Sequence, residues 1–484
     1  MIKSIQQFQT KGIENLEKVM GNYSEDMTRI AEMVHGVTDG VVNLGLSIIA
    51  EELEAYDEWL RKSAKRKQTW YIVKRDKSSL LTSLGSVTYQ KTLFQNKNTG
   101  EREYLLDRVM GLEKHARMTE DAEAKILEEA VESSYRKGGE NASIGAEYVS
   151  KQTVMNKIHS LKFPKAKALS QKKTVSYLYI DGDEDHVSLQ YLENRGDIGN
   201  RRRVNTIMPK IVYVYEGITN ENGRNELVNV KYFGGIYAGR EGNQALWKEV
   251  WDYIECSYDV ESLKQVYVNG DGAAWIKSGA KGIAKGTFVL DKFHMHKYII
   301  GATTHLLDSA EDARGEIYRA IYKQKRWMLV GAFDRILHVT ENENKRKTVE
   351  TAKGYLLENW YGIMEQVKNK DVQLECSAEG HVSHVYADRM SSRPLGWSRI
   401  GVDQMSRLRT YYYNKGNMLE LVRYQKNVGQ EAAGAEGELY LRQILKGERM
   451  HREALGVYAN MHVYSIPYPH IKKIANFREH IWGL

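Results

Sequence analysis

The sequence contains few cysteines and few prolines for its length. Its 484 residues include 2 cysteines, Cys256 and Cys376, and 5 prolines. The cysteines lie far apart and lack metal-ligand spacing, so a disulfide framework and a zinc ribbon are both excluded. The scarcity of proline and the lack of any Ser/Gly linker predict domains that pack closely. We expect a protein of a reducing compartment, the cytoplasm.

Long apolar runs and a strong charge imbalance are also missing. We expect no stretch long and apolar enough to span a membrane, and the N-terminal residues MIKSIQQFQTKG have no signal-peptide core. We therefore expect no membrane partner. The 70 Lys and Arg residues exceed the 63 Asp and Glu residues, for a formal charge of +7. This mild excess favours polyanions only where the cations cluster.

What is present at the N-terminus is helical periodicity followed by strand alternation. Residues 12–66 carry apolar residues at helical spacing, which predicts a packing or dimerisation helix. Residues 84–105 alternate apolar and polar side chains and break at the Asn-Lys-Asn-Thr-Gly of 96–100, which predicts a two-stranded ribbon. We assign residues 1–80 to an N-terminal helical region and residues 81–165 to a hairpin followed by a DNA-binding domain.

A helical block begins at residue 119, and residues 141–161 suit a helix-turn-helix, although a plain helical hairpin fits the pattern equally well. Thr119 and Ser150 are expected helix N-caps, and Val154, Ile158 and Leu161 are expected to face inward. The exposed face of the second helix would then offer amide and ammonium donors to base edges and phosphates. These donors are Lys151, Gln152, Asn156 and Lys157.

From residue 175 onward the pattern becomes α/β. Several apolar strands are followed by strand–helix alternation, which predicts a mixed sheet covered by helices. We assign residues 174–300 to the first part of this core and the charged helical block 301–375 to an all-α insertion. Residues 376–420 would supply the final core helix, and residues 421–484 a C-terminal region.

Acidic residues stand at three predicted element ends. Asp181 and Asp183 follow one apolar strand, Asp271 follows another, and Glu379 begins a helix. Carboxylates at the ends of neighbouring strands converge on one crevice and suit Mg²⁺ or Mn²⁺. Taken singly, each acid is more often a turn or cap residue. Two such ions about 4 Å apart would support in-line phosphoryl transfer.

Four segments resemble the signature blocks of Lre-type insertion-sequence transposases. They are YIDGDEDHVSLQ, VYVNGDGAAWIK, VLDKFHMHKYI and CSAEGHVSHVYADRMSSRPLGWS. Those bacterial proteins form an uncharacterised family that is distantly similar to Mutator-like transposases. The resemblance implies a DDE transposase with a ribonuclease-H-like core. The resemblance covers nearly the whole chain, and the block from Glu379 to Trp397 is the most specific match.

The resemblance implies a catalytic triad of metal-binding carboxylates. Asp183 would be the first, with Asp181 as the alternative, followed by Asp271 and Glu379. The resemblance also implies an insertion domain, which would occupy the long gap between Asp271 and Glu379. Mg²⁺, with Mn²⁺ as substitute, would occupy the site as two ions.

Several further residues receive supporting roles. Asp291 and His294 resemble the family's Asp-x-x-His sequence and would position DNA or a carboxylate; an N-cap aspartate and a packed histidine are the alternative. His381 and His384 would orient carboxylate or phosphate, or else pack as ordinary histidines. Cationic side chains would contact phosphates, with surface salt bridging as the alternative. They are Arg389, Arg393, Lys415 and the Arg201–Arg203 run.

The sequence therefore predicts a DNA transposase. It would cut the ends of an insertion sequence and join the 3′-hydroxyl ends to target DNA, acting near the nucleoid as a dimer or larger assembly. Two alternatives remain: a ribonuclease-H-like nuclease, and a DNA-binding regulator derived from a transposase.

Overall fold

The computed structural model describes residues 3–431, apart from 113–115, 146, 166–170, 193–204, 222, 370–373, 375 and 394. The chain divides into two compact units. The larger contains Met1–Glu52, Lys77–Tyr89 and His115–Lys426. The smaller contains Leu53–Asp76 and Gln90–Lys114, together with residues 427–431. The predicted domain boundaries remain predictions.

The N-terminal segment is helical, as its periodicity predicted, with a break at residues 26–29. One helix contradicts the expectation that no stretch is apolar enough to span a membrane. Residues Ile30–Lys62 pass that test by length and composition, with a mean hydropathy of 1.3 over their most apolar window. The helices are α1 Lys3–Gln7, a π-helical turn Phe8–Gly12, α2 Ile13–Glu25, α3 Ile30–Lys62 and α4 Ala64–Thr69.

A three-stranded sheet follows, in the order β1–β2–β3. Its strands are β1 Trp70–Leu81, β2 Ser86–Asn96 and β3 Arg102–Tyr104, and α5 Leu105–Val109 comes next. The predicted ribbon is confirmed, because β2 and β3 pair antiparallel on either side of residues 97–101. Strand β1 was not predicted, since its exposed middle lacks a clean apolar alternation.

Three helices precede the main sheet: α6 Glu120–Glu132, α7 Tyr135–Glu140 and α8 Lys151–His159. The predicted cap of α8 is confirmed, because the Ser150 hydroxyl accepts a hydrogen bond from the Thr153 amide at 3.2 Å. The three side chains predicted to face inward are buried. Ten residues separate α7 from α8, and the helix-turn-helix assignment stays a prediction.

The main sheet has five strands in the order β10–β7–β4–β11–β12. Strand β4 pairs antiparallel with β7 and parallel with β11, while β10 pairs antiparallel with β7 and β12 parallel with β11. The chain also forms two small ladders, β5–β6 and β8–β9. The strands are β4 Tyr177–Glu184, β5 Val187–Ser188, β6 Thr206–Ile207, β7 Lys210–Tyr215, β8 Ile218–Glu221, β9 Arg224–Leu227, β10 Lys231–Gly235, β11 Gln265–Gly270 and β12 Gly286–Leu290.

Helices cover both faces of this sheet, so the predicted mixed α/β architecture is confirmed. One face packs on α9 Gly239–Ser257, α10 Ala274–Gly282 and α11 Lys292–Thr303. The same core continues into the helical block predicted at 301–375, so this block and the sheet share one interior. The block comprises a 3₁₀ turn Thr304–Ser309, α12 Ala310–Tyr322, α13 Arg326–Val339, α14 Glu343–Glu358 and α15 Trp360–Lys368.

The opposite face of the sheet carries buried tyrosines and packs on α6, α8 and the last helices. Alternation along each strand explains the two faces: in β4, Leu178 and Ile180 point to one core and Tyr179 to the other. The last helices are α16 Ala378–Val382, a π-helical turn Ser383–Ala387, α17 Asp388–Met390, α18 Arg399–Tyr413 and α19 Met418–Glu431.

Candidate active site

The two candidate first acids on β4 have different surroundings. Asp181 is fully buried, and its carboxylate accepts hydrogen bonds from the Tyr213 hydroxyl at 2.7 Å and the Asn269 amide at 2.7 Å. The Tyr215 hydroxyl and the Ser377 backbone N–H also donate to it, at 3.2 and 3.0 Å. Burial raises the pKa of Asp181, and these donors partly offset the increase. Asp181 is thus an interior hydrogen-bond acceptor.

Asp183 lies two residues further along β4 and lines a cavity of about 280 Å³. Burial raises the pKa of the Asp183 carboxyl to about 6, and the nearby Asp271 carboxylate contributes in the same direction. A carboxyl group that is partly desolvated and faces a like charge is a common feature of functional sites. The placement favours Asp183 over Asp181 as the acid that faces a ligand.

Asp271 reaches the same cavity from the neighbouring strand. Asn269 of β11 is in register with Asp181 of β4, and the two strands run parallel. Two residues further along each strand, Asp271 and Asp183 therefore emerge at the same edge of the sheet. The Asp271 side chain accepts a hydrogen bond from the Ala273 amide at 2.8 Å, which fixes the turn after β11.

Glu379 is the third acid that lines the cavity. It is exposed and sits in the first turn of α16. The Ser377 amide, two residues earlier, donates to Asp181, so the segment that begins α16 is attached to β4. Three acids that are widely separated in sequence thus line one cavity.

His294 joins these acids through Asp291. Asp291 caps α11 by accepting from the amides of Phe293 and His294, and its carboxylate lies 2.8 Å from His294 Nδ1. The hydrogen bond to Asp291 raises the pKa of His294, and the charges of Asp183 and Asp271 raise it further. Asp291 is therefore a cap, as its alternative reading held, and His294 also lines the cavity.

Several cavity residues were not predicted from the sequence. Glu184 lines the cavity 3.9 Å from the ammonium group of Lys210, and its pKa is raised by burial. Phe293 lies at the cavity with about half of its surface exposed. Lys297 lies one helical turn after His294, and this spacing is the sequence signal that could have found it. The remaining lining residues are His186, Trp275, Ile276, Lys297 and Val382.

Two predicted site residues, His381 and Arg389, lie away from the cavity. His381 does not line the cavity; its Nδ1 lies 2.7 Å from the Tyr232 hydroxyl, and burial lowers its pKa to about 4. Arg389 is buried, donates to the Ala130 carbonyl at 3.2 Å and lies over the ring of Trp397. A buried guanidinium bound to a carbonyl does not contact DNA phosphates.

The remaining predicted DNA contacts are mostly exposed. Lys151, Gln152 and Asn156 lie on the outer face of α8, while Lys157 is ion-paired with Glu123 at 2.7 Å. Arg393, Lys415 and His384 are exposed as well. The Arg201–Arg203 run and most of the predicted C-terminal region fall outside the described residues.

In the part of the chain that the structure describes, no three His, Cys, Asp or Glu side chains are arranged close enough to form a ready-made metal cluster. The acids Asp183, Asp271 and Glu379 share the cavity without forming such a group.

The sequence also matches known proteins. Residues 23–427 match the model of an uncharacterised protein family, UPF0236. The chain belongs to UPF0236.

Its relatives in that family are bacterial. A UPF0236 protein of Caldanaerobacter subterraneus subsp. tengcongensis is 36% identical over 409 residues, which covers 84% of this chain and 83% of the relative. A UPF0236 protein of Streptococcus gallolyticus, encoded in the vanSb 3′ region, is 22% identical over 398 residues, or 78% of this chain and 81% of that protein.

A comparison of structures finds a chain of the Drosophila P element transposase strand transfer complex. It covers 62% of this chain and 80% of that one, with 9% sequence identity and a TM-score of 0.22. A score at this level does not establish a shared fold.

Proposed function

We propose that this UPF0236 protein is a DNA transposase that cuts the ends of an insertion sequence and joins the 3′-hydroxyl ends to target DNA. The observation that carries the proposal is the convergence of Asp183, Asp271 and Glu379 on one cavity. Two of them emerge from adjacent parallel strands of a mixed sheet, and the third begins a helix attached to that sheet. We propose that this sheet is a ribonuclease-H-like core.

The residues around the cavity fit a hard divalent cation. Asp183, Asp271 and Glu379 supply oxygen donors, which Mg²⁺ and Mn²⁺ prefer. The raised pKa of Asp183, caused by burial and by Asp271, is relieved when positive charge is supplied between the two carboxylates. Two such ions would stabilise negative charge on the attacking and leaving oxygens of a phosphodiester.

The remaining cavity residues then have roles of their own. His294, held by Asp291, faces the acids and in its charged form would neutralise part of their field or bind a phosphate oxygen. Lys297 adds a second cation to the same wall, one turn along α11. The exposed face of α8 would bind the terminal repeats, and two DNA ends would require at least two subunits.

Gene copy number in a relative supports the proposal. The name of one UPF0236 relative joins eleven locus designations of a single bacterium. A gene present at many places in one genome is what an element that copies or moves itself produces.

The test is strand cleavage on labelled duplexes that carry the ends flanking the gene, with Mg²⁺ or Mn²⁺. We expect 3′-hydroxyl ends with the wild-type protein and losses of at least a hundredfold for Asp183→Asn, Asp271→Asn and Glu379→Gln. Asp252→Asn is the matched control, because Asp252 is an aspartate of α9 that pairs with Lys248 at the surface and does not line the cavity. Cutting without joining would indicate a nuclease, and binding without cutting would indicate a regulator.

A further inference from the structure

The turn between α12 and α13 exposes two aromatic rings beside three cations. Residues 322–327 read Tyr-Lys-Gln-Lys-Arg-Trp, and all six are exposed. Tyr322 is 69% exposed and Trp327 is 71% exposed. We call residues 322–327 the α12–α13 tip. Most of the surface of each ring is therefore accessible to a ligand.

Two backbone hydrogen bonds to the end of α12 hold the tip. The Gln324 amide donates to the Ile321 carbonyl at 2.9 Å, and the Lys325 amide donates to the Ala320 carbonyl at 3.0 Å. Gln324 adopts a left-handed conformation with φ of 55°, which turns the chain sharply from one helix into the next. Because its backbone is fixed, the tip presents its side chains in a defined arrangement.

The cations of the tip are not neutralised. Among the described residues, Lys323, Lys325 and Arg326 form no ion pair. The nearest acids in the sequence are already engaged: Glu316 pairs with Arg335 at 2.7 Å, and Asp334 pairs with Lys353. The Lys325 ammonium lies 5.9 Å from the centre of the Trp327 ring. The tip therefore combines three free positive charges with two accessible π faces.

This combination matches the chemistry of unpaired nucleic acid. Successive unstacked bases stack on exposed aromatic rings, while nearby cations neutralise the phosphates that link them. A duplex hides its base faces, so the rings gain nothing from it. We propose that the α12–α13 tip binds single-stranded or unpaired DNA, with Tyr322 and Trp327 as base-stacking residues. The choice of DNA rests on the proposed function, whereas the stacking site does not.

The experiment measures the affinity of the full chain for a labelled 20-nucleotide DNA strand and for its duplex, by fluorescence anisotropy in EDTA. We expect Tyr322→Ala and Trp327→Ala each to weaken single-strand binding about tenfold and duplex binding less than twofold. Replacing all three tip cations by alanine should reduce the salt dependence of single-strand binding by a slope of about 2.

Two controls match these changes in type. Tyr361→Ala removes another exposed aromatic ring, which is 64% exposed on α15. Lys347→Ala removes a cation of the same helical block that already pairs with Glu343. Both should bind the strand as the wild type does.

The proposal would be overturned by unchanged affinity of the aromatic variants, by equal losses in the controls, or by tighter binding to RNA of the same sequence. Preferential binding of the tip to anionic vesicles would also overturn it. The binding measurement is made in EDTA and does not depend on cleavage. If the wild-type protein does not cleave DNA, the proposed function is refuted, but the binding measurement still tests the tip. Conversely, if the wild-type protein cleaves DNA and the tip variants bind the single strand as the wild type does, only the proposal for the tip is refuted.

Discussion

The Ser391 hydroxyl lies 2.9 Å from both carboxylate oxygens of Asp185, although 206 residues separate the two in the chain. A second hydrogen bond joins the same two segments: the amide of Ser377, 14 residues before Ser391, donates to the Asp181 carboxylate. The two links hold residues 377–391 against the acidic end of β4. Glu379 lies between them, so its approach to Asp183 and the cavity is fixed at both ends.

Asp181 should be essential for stability rather than for metal binding. Asp181→Ala removes the acceptor of three buried side-chain donors and of the half-buried Ser377 amide, and we expect a loss of about 3 kcal/mol or more in the free energy of unfolding. Urea denaturation measures this loss, with Asp185→Ala expected to cost less because only the Ser391 hydroxyl and the His186 amide lose their acceptor. If Asp181→Asn folds with normal stability but no longer gains stability from Mg²⁺, then Asp181 is the first metal ligand instead.

The ionised carboxylate of Asp183 should lower the free energy of unfolding at neutral pH. Its folded pKa of about 6 lies above the ordinary aspartate value, so the folded state holds an extra proton between roughly pH 4 and pH 6. Stability therefore falls as pH rises through that window, and the cost is complete above it. In metal-free buffer at pH 7.5 we expect Asp183→Asn to be about 2 kcal/mol more stable than wild type, and nearly equal at pH 3.5.

The matched control is Asp39→Asn, which alters an exposed aspartate on α3 and should leave the pH profile unchanged. A wild-type profile that is flat between pH 4 and pH 6, or equal stabilisation by both variants, would contradict the assignment of Asp183 to a crowded acidic site.

The sequence predicted the strands and the positions of the acids because both depend on local pattern. Short apolar runs placed β4 and β11, and parallel strands bring their ends together, which is why Asp183 and Asp271 share an edge. Choosing between Asp181 and Asp183 was beyond the sequence. Both lie on the same face of one strand, and the difference between them comes from distant donors such as Ser377 and Tyr213.

Arginine roles were less predictable, since they depend on contacts across the chain. Arg389 donates to a carbonyl 259 residues away, and nothing near it in the sequence indicates this. Arg393, four residues later, is exposed. We expect Arg389→Ala to cost about 2–4 kcal/mol of unfolding free energy and Arg393→Ala less than 0.5. Comparable effects of the two on stability would contradict this contrast.

His294 should titrate at a higher pH than an unperturbed histidine. Its pairing with Asp291 stabilises the protein below pH 6.5, and this stabilisation disappears as pH rises through the raised folded pKa. Asp291→Asn keeps a good helix cap but removes the charge, so the pKa of His294 should fall. An NMR titration of the His294 ring measures the change. An unchanged titration would show that Asp291 does not set the charge of this histidine.

Helix α3 should join two copies of the chain. Ile30, Val34, Val37 and Val41 recur at spacings of four, three and four, and they are 55%, 54%, 37% and 56% exposed. This spacing matches the a/d pattern of a coiled coil, and the charged neighbours Glu32 and Asp39 lie off that stripe, so two copies would meet without repulsion.

We expect the wild-type chain to be a dimer or larger in light-scattering measurements, and Val34→Lys with Val41→Lys to be a monomer. Asp39→Lys makes a comparable charge change on the outer face of α3 and should leave the assembly intact. Because the same helix is long and apolar enough to cross a bilayer, vesicle flotation of both proteins separates the two explanations. A monomeric wild-type protein that floats with vesicles would assign this apolar face to lipid and leave the pairing of DNA ends to another surface.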